Sequence, residues 1–348
     1  MLSYVLSKDE IVVWIENGKI VKRDLLRCPL ALRKGDSIDN WLNDRAIDSH
    51  RINSRLLKKI LRISDKSDKE VVLYNNAVTI TDNFWVKDED SNLKWNDVRF
   101  SNNYFDKLAL LGDPDSFKLK PSRNPELTNI GSYEKCWRLE NNYWVMYKKE
   151  TINQRFSEYF IYQLGLKLGF NMAKYELCDV GVKTYDFTEN NKYNFEPIKS
   201  LIGDNEDYND VFDVLVTINK EIAKDYLKMI YLDTLCFNMD RHNFNYGLLR
   251  NPDSGKIIML APNFDNNIAL ILNDKYPTVD GGVSFLRKLF VDFLSNNEIA
   301  KTMYKELDIR KLNKEEIEEV LNLIKLDVDK EKILDFIIDN QNELINIL

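Results

Sequence analysis

Cysteine is scarce and scattered: Cys28, Cys136, Cys178 and Cys236 form no C-x-x-C pair in 348 residues. That spacing excludes zinc-ribbon and thioredoxin-type sites and suits reduced, mostly buried thiols of a cytoplasmic protein. Positive charge is not in excess either. Lys and Arg total 49 against 56 for Asp and Glu, a net charge of -7. The balance argues against a chain whose main work is coating nucleic-acid phosphates or an anionic membrane. No apolar run reaches the length needed to span a bilayer. The opening MLSYVLSKDEIVVWI lacks the basic start of a secretory signal and puts Asp9 and Glu10 where its apolar stretch would have to continue. Histidine is rarer still, with two residues, His50 and His242.

What is present is 44% hydrophobic content, enough for a sizeable core and two to three structural units. EIVVWIENGKIVKRDLL predicts a β-hairpin turning at Asn17-Gly18, the dipeptide that best supplies two positive φ angles. In DNWLNDRAIDSHRINSRLLKKILRI, Ile52, Leu56, Leu57, Ile60, Leu61 and Ile63 follow helical spacing, with Arg51, Arg55, Lys58, Lys59 and Arg62 on the remaining faces. That pattern predicts a helix whose basic face is solvated, the commoner outcome, with a DNA-contacting helix as the alternative. Short elements and loops follow, and Gly112-Asp113-Pro114 marks a boundary. SYEKCWRLENNYWVMYKK predicts two strands joined at residues 140–142, and NQRFSEYFIYQLGLKLGF a helix ended by Gly169. KYELCDVGVKTYDF adds strand, and NNKYNFEPIKSLIGDNEDYND reads as a polar linker. The remainder is mostly helical, with a capping box at Asn313 and Glu316 and a last helix carrying Ile333, Ile337, Leu344 and Leu348. Three divisions result: 1–112, an accessory region; 113–190, rich in β-structure; and 191–348, helical.

The chemistry concentrates in LDTLCFNMDRHNFNYGLLRNPDSGKIIMLAPNFDNN, where Asp240 and Asn245 stand five residues apart after a predicted helix. YGLLRNPDSGKIIMLA predicts strand, turn and strand. Such a hairpin returns the chain to its starting level, so that Asp265 can lie beside Asn245. Two carboxylates and an amide make a hard-oxygen set suited to magnesium with phosphates. Phosphoryl transfer of the kinase type asks for the same parts: an Asp to accept a hydroxyl proton, then an Asn and a later Asp on the metal. The ordinary alternative is a helix C-terminus with a structural Asp-Arg pair. Upstream, Lys148 ends the strand YWVMYK and Glu158 lies on the following helix, the order a phosphate-binding Lys and its carboxylate partner require. Gly131, in TNIGSYEK, would let backbone N–H groups approach phosphate.

NGKIV, FDKLALLGD, LTNIGSYEKCW, YWVMYK, FSEY, DTLCFNMDRHNFNYGLL and LAPNFDNN together resemble the HipA-like bacterial Ser/Thr kinases, from about residue 10 to 270. The resemblance implies an α+β, bilobed protein-kinase-like fold with a β-rich N-lobe, a helical C-lobe and an N-terminal accessory region. It implies Asp240 as catalytic base, Asn245 and Asp265 as metal ligands, and Lys148 with Glu158 on the phosphates of ATP. It makes the turn at Gly131 and Ser132 the phosphate loop, and places Tyr185, Asp186 and Phe187 at the adenine hinge. Thr128 first and Ser132 second become candidates for self-phosphorylation. Asp233, Arg241 and His242 would support the catalytic loop. ATP and Mg are the implied cofactors, a protein the substrate, and a small DNA-binding antitoxin a partner, with no direct contact to nucleic acid or membrane. The chain departs from ordinary protein kinases in lacking G-x-G-x-x-G and in placing Arg241 after, not before, the catalytic Asp. The order D-R-H-x-x-N also resembles lipid kinases, so a lipid or small-molecule kinase, or a pseudokinase binding module, stays open.

Overall fold

The structure, a computed structural model, describes residues 2–51 and 53–347. The chain divides into two compact units. The first comprises Met1–Lys149, Lys183–Leu201 and Leu248–Ile258; the second comprises Glu150–Val182, Ile202–Gly247 and Met259–Leu348. Residues 1–112 and 113–149 thus lie together in the first unit. Gly112, at φ 67, closes the helix Asp106–Leu111 in the left-handed conformation.

The first unit opens with a four-stranded sheet. Its hairpin, Glu10–Glu16 and Lys19–Arg23, turns through Asn17 at φ 49 and Gly18 at φ 80, as the dipeptide requires. The strand Leu2–Ser7 lies inside the sheet, antiparallel to both Glu10–Glu16 and Phe84–Asp88. Val5, Val12, Val13, Ile15, Phe84 and Val86 from these strands bury one core with Trp41 and Leu42. A second hairpin pairs Lys135–Glu140 with Tyr143–Lys149, turning at Asn141 and Asn142, both at positive φ. Its Trp137 and Trp144 pack with Ile80.

Two sequence expectations are corrected in this unit. The basic segment is not one helix but two short ones, Asp39–Asn43 and Ser54–Ile60, ended by Arg62 at φ 58; Ile52 lies outside the described residues. Arg51 does not face solvent: it is 1% exposed and pairs with fully buried Glu126 at 3.3 Å. Burial pushes the Glu126 carboxyl up, against the pull of Arg51. Helical spacing alone could not reveal that a guanidinium with a buried carboxylate partner would be drawn inward. The stretch read as a polar linker holds the strand Asn194–Pro197 and the helix Lys199–Ile202. That strand is the edge of a three-stranded sheet whose middle strand is Gly247–Arg250. Glu196 fixes it there, accepting from the Leu30 N–H at 2.6 Å and pairing with the Arg250 guanidinium.

The second unit is helical. Ile152–Lys167 starts at a capping box of Thr151 and Gln154, buries Phe156, Phe160 and Leu164, and is followed by Gly169 at φ 74. Lys220–Leu235 is buried along most of its length. Lys314–Leu323 begins at the Asn313–Glu316 capping box, and Lys330–Ile347 buries Ile333, Ile337 and Leu344; Leu348 lies outside the described residues. Rings of three helices meet in this core, Phe290 on Tyr304 at 5.4 Å and Phe212 on Phe293 at 5.7 Å. None of the four cysteines is in a disulfide, and Cys28, Cys136 and Cys236 are buried. No helix among the described residues is long and apolar enough to cross a membrane.

Glu196→Ala should cost the fold about 3 kcal/mol, because it leaves the Arg250 charge buried without its counter-ion. Urea unfolding of the variant checks it, with Glu189→Ala, an exposed carboxylate paired only with Lys192, as the control expected to change little.

Candidate active site

The catalytic-loop candidate begins where the helix Lys220–Leu235 runs out of turns. Its last carbonyls would be orphaned in the core, but Asn340 of the last helix donates to Thr234 and Leu235, both at 2.9 Å. Phe237 takes a positive φ of 52, and Asn238 folds back on Asp233 through its backbone N–H at 2.8 Å and its side chain at 2.9 Å. The Asn238 amide oxygen then accepts the Asp240 N–H at 3.1 Å. From there the loop is self-tied. His242 N–H donates to the Asp240 carbonyl at 2.9 Å, and Asn245 N–H to the His242 carbonyl at 2.8 Å. The His242 Nδ1 accepts the Phe244 N–H at 3.3 Å, which makes His242 a brace of this loop.

Arg241 organises what surrounds it. Its guanidinium meets Asp233 in bidentate fashion, Nε to Oδ2 at 2.8 Å and Nη2 to Oδ1 at 2.9 Å, and both side chains are 5% exposed. Its Nη1 donates to the Asn245 carbonyl at 2.7 Å and the Phe264 carbonyl at 2.8 Å. Its Nη2 also reaches the Asn266 Oδ1 at 2.7 Å and the Asn263 Oδ1 at 3.1 Å. One planar fork therefore holds the Asn245 end of the loop and both flanks of Asp265. The structural Asp-Arg pair that the sequence offered as the ordinary alternative is present, and it adjoins the candidate catalytic residues.

Asp265 itself sits at φ 61, uncommon for a residue with a Cβ, in a segment staked on every side. Its N–H donates to the Tyr175 Oη at 3.1 Å, and the next N–H, of Asn266, to the Glu158 Oε2 at 2.6 Å. Asn267 donates to Glu150 at 3.1 Å. Ser157 donates to the Ala269 carbonyl at 2.7 Å. Glu158, expected as a partner for a lysine, is fully buried and in this unit supports the backbone beside Asp265.

The donor set fits a hard divalent cation. Asn245 commits its Nδ2 to the Asp240 carbonyl at 2.9 Å, so its amide oxygen is the atom it could offer to a cation. Asp240 and Asp265 are close enough to raise the Asp240 pKa: burial contributes most, and the Asp265 charge adds to it against the lowering by His242 and Arg241. No group of three or more His, Cys, Asp or Glu with metal-holding geometry occurs among the described residues. One or two carboxylates and an amide, with phosphates filling the remaining positions, is how magnesium is usually held.

The other candidates lie in the first unit. Lys148 stands opposite Lys135 in the strand register and is buried, whereas its neighbour Lys149 is exposed and pairs with Glu134 at 2.7 Å. Gly131 has φ 116, a backbone conformation that residues with a Cβ rarely adopt, and the Lys135 amine, the end of a flexible side chain, lies where a Cβ would be. The two hydroxyls differ in exposure. Thr128 is buried in a short 3-10 helix and donates to the Val78 carbonyl at 2.7 Å, whereas Ser132 is exposed. Of the hinge residues, Tyr185 ends the strand Gly181–Tyr185 and Phe187 packs edge-on against Phe195. The Asp186 carboxylate closes the next turn, accepting from Thr188 and Asn190, while its N–H donates to the Trp144 carbonyl at 2.9 Å. That side chain is engaged by its own turn.

Sequence reasoning assigned no role to Asn238, Asn263, Asn266 or Asn340. The signal available was the density of asparagine in CFNMD and APNFDNN, where each amide can bridge a donor and an acceptor of a loop backbone.

With this geometry in view, residues 128–329 match the family model described as the HipA-like C-terminal domain. The match spans more than half of the chain, which belongs to that family. Among solved structures, the chain is similar to HipA of Shewanella oneidensis MR-1, solved as a toxin–antitoxin complex with HipB and operator DNA. The alignment covers 100% of this chain and 96% of that one at 13% identity, with a TM-score of 0.59, and shows a shared fold. The proinflammatory kinase CtkA of Helicobacter pylori is similar over 62% of this chain and 89% of its own at 20% identity, with a TM-score of 0.47. No curated protein sequence matches the chain.

The Asp240 carboxyl should titrate above its ordinary value of 3.8 in the metal-free protein, and Asp265→Asn should lower that pKa by removing a like charge. Side-chain carboxyl NMR titration reads both. A base must be ionised to accept a proton, so turnover that depends on Asp240 falls as pH drops through the raised pKa.

Proposed function

We propose that this chain is an ATP- and Mg-dependent Ser/Thr protein kinase of the HipA type. The observation that carries the reading is the trio Asp240, Asn245 and Asp265, held in place by Arg241 and its buried Asp233 partner. Membership of the HipA-like family supports it.

In this reading the half-buried Asp240 accepts the proton of a substrate hydroxyl as oxygen attacks the γ-phosphorus of ATP. Its raised pKa makes it a better proton acceptor than an exposed aspartate. The Asn245 amide oxygen and the Asp265 carboxylate would hold Mg, whose contribution is to neutralise phosphate charge. Lys148 supplies a cation for the phosphates, the turn at Gly131 supplies backbone N–H groups, and the backbone at Tyr185 to Phe187 meets adenine. The likeness to a structure solved with HipB and operator DNA supports a toxin role with a small DNA-binding antitoxin as partner. Autophosphorylation falls on Ser132, because Thr128 keeps its hydroxyl buried on the Val78 carbonyl.

Incubation of the purified chain with ATP and MgCl2, followed by intact-mass and peptide mass spectrometry, tests the reading. One phosphate is expected on Ser132 of the wild type. None is expected on Asp240→Ala or on Asp265→Ala, which loses a hard-ion ligand. The activity of the modified enzyme should fall, since close to two negative charges enter the loop that wraps the triphosphate. Phosphate on Thr128, or on Ser132 of Asp240→Ala, would contradict it.

A further inference from the structure

The loop 129–135 is tied to a part of the chain that kinase chemistry leaves unused. Arg51 is buried, and its two Nη atoms reach carbonyls at both ends of the loop, Asn129 at 3.4 Å and Lys135 more closely. Glu126 anchors the same guanidinium at 3.3 Å, and its carboxylate takes the Asn129 side chain at 3.0 Å and the Trp137 N–H at 2.8 Å. Asn53 donates to Glu134 at 3.0 Å. At the exposed tip, Ser132 donates its hydroxyl to the Asp48 Oδ2 at 2.7 Å, while the other oxygen of Asp48 accepts the His50 N–H at 2.8 Å.

We infer that Asp48, Arg51 and Asn53 are positioning residues for the phosphate loop, with Arg51 setting its ends and Asp48 holding its tip through Ser132. The inference rests on the kinase reading above. In a trans peptide the C=O and N–H point opposite ways. A guanidinium that draws in the Asn129 carbonyl therefore turns the Ile130 N–H away from itself, as an anion-binding loop needs. Gly131 lies between these ties, where the Lys135 amine already fills the space below its backbone. The Asp48 contact also gives phosphorylation of Ser132 a structural consequence. The hydroxyl that donates to a carboxylate becomes a dianion against it, and the tie becomes a repulsion.

A double-mutant cycle on Asp48 and Ser132 tests this, using unphosphorylated protein, the Kd for a non-hydrolysable ATP analogue with MgCl2, and amide hydrogen exchange of residues 129–135 without nucleotide. Asp48→Ala and Ser132→Ala are each expected to raise that Kd about fivefold, the scale of one charge-assisted hydrogen bond in a half-exposed place. The double variant should be no worse than either single one, and Asp48→Asn, whose amide oxygen still accepts from Ser132 without the charge, should fall between Asp48→Ala and the wild type. A double variant whose effect is the product of the two, or an Asp48→Ala protein with unchanged Kd and unchanged exchange, overturns the inference. If the wild type neither binds ATP nor transfers phosphate, the kinase reading fails by itself. The exchange cycle then decides the clamp: faster exchange, equal in the single and double variants, supports it, and unchanged exchange rejects it.

Discussion

The buried ion pair of Arg241 with Asp233 is the constraint on which the site depends. Asp233 belongs to the last turn of a core helix, so its position is set by packing. Arg241 carries that position outward to two separate backbone stretches, the end of the candidate catalytic loop at Asn245 and the segment around Asp265. Neither stretch has regular secondary structure, and each places residues at positive φ, Phe237 in one and Asp265 in the other. Strain of that sort persists only where the surroundings over-determine it. A neutral side chain could not repeat the arrangement, since it offers neither five donors in a plane nor the charge that compensates Asp233.

A second buried pair has the same logic in the first unit. Arg51 and Glu126 are both out of solvent, yet neither is there for stability alone, because well-packed apolar residues would serve a core at least as well. What the pair provides is direction: it fixes the ends of the strand-to-loop passage around Gly131 to the short helices that precede it. In both units a guanidinium–carboxylate pair orders a loop of irregular backbone. The candidate phosphate loop and the candidate metal loop each inherit their geometry from one such pair.

Much of this was legible in the sequence. Asn17-Gly18, the turn at Asn141 and Asn142, the Thr151 and Asn313 helix starts and the apolar spacing of the last helices are local signals, written in residues that touch. That Asp240, Asn245 and Asp265 come together was legible in the strand, turn and strand between them, and alternation along Tyr143–Lys149 explains why Lys148 is buried where Lys149 is exposed. Long-range electrostatics was not legible. Arg51 reads as a surface cation until Glu126, far along the chain, is placed against it. Residues 190–210 read as linker because Glu196 and its polar neighbours carry no apolar period, and their reason for being ordered, Arg250, comes from another strand. Thr128 and Ser132 are equal in sequence and differ only in burial.

The central claim is that the Asp233–Arg241 pair exists to hold the reacting groups in register. Replacing both at once, Asp233→Leu with Arg241→Met, removes the two charges together and leaves no lone buried ion. Urea unfolding of this variant should show a folded protein a few kcal/mol less stable, because Asn238 and the carbonyls of Asn245 and Phe264 lose their partners, while its phosphate transfer from ATP falls by about 100-fold or more. A variant that folds as well as the wild type and transfers phosphate at an undiminished rate would contradict the account.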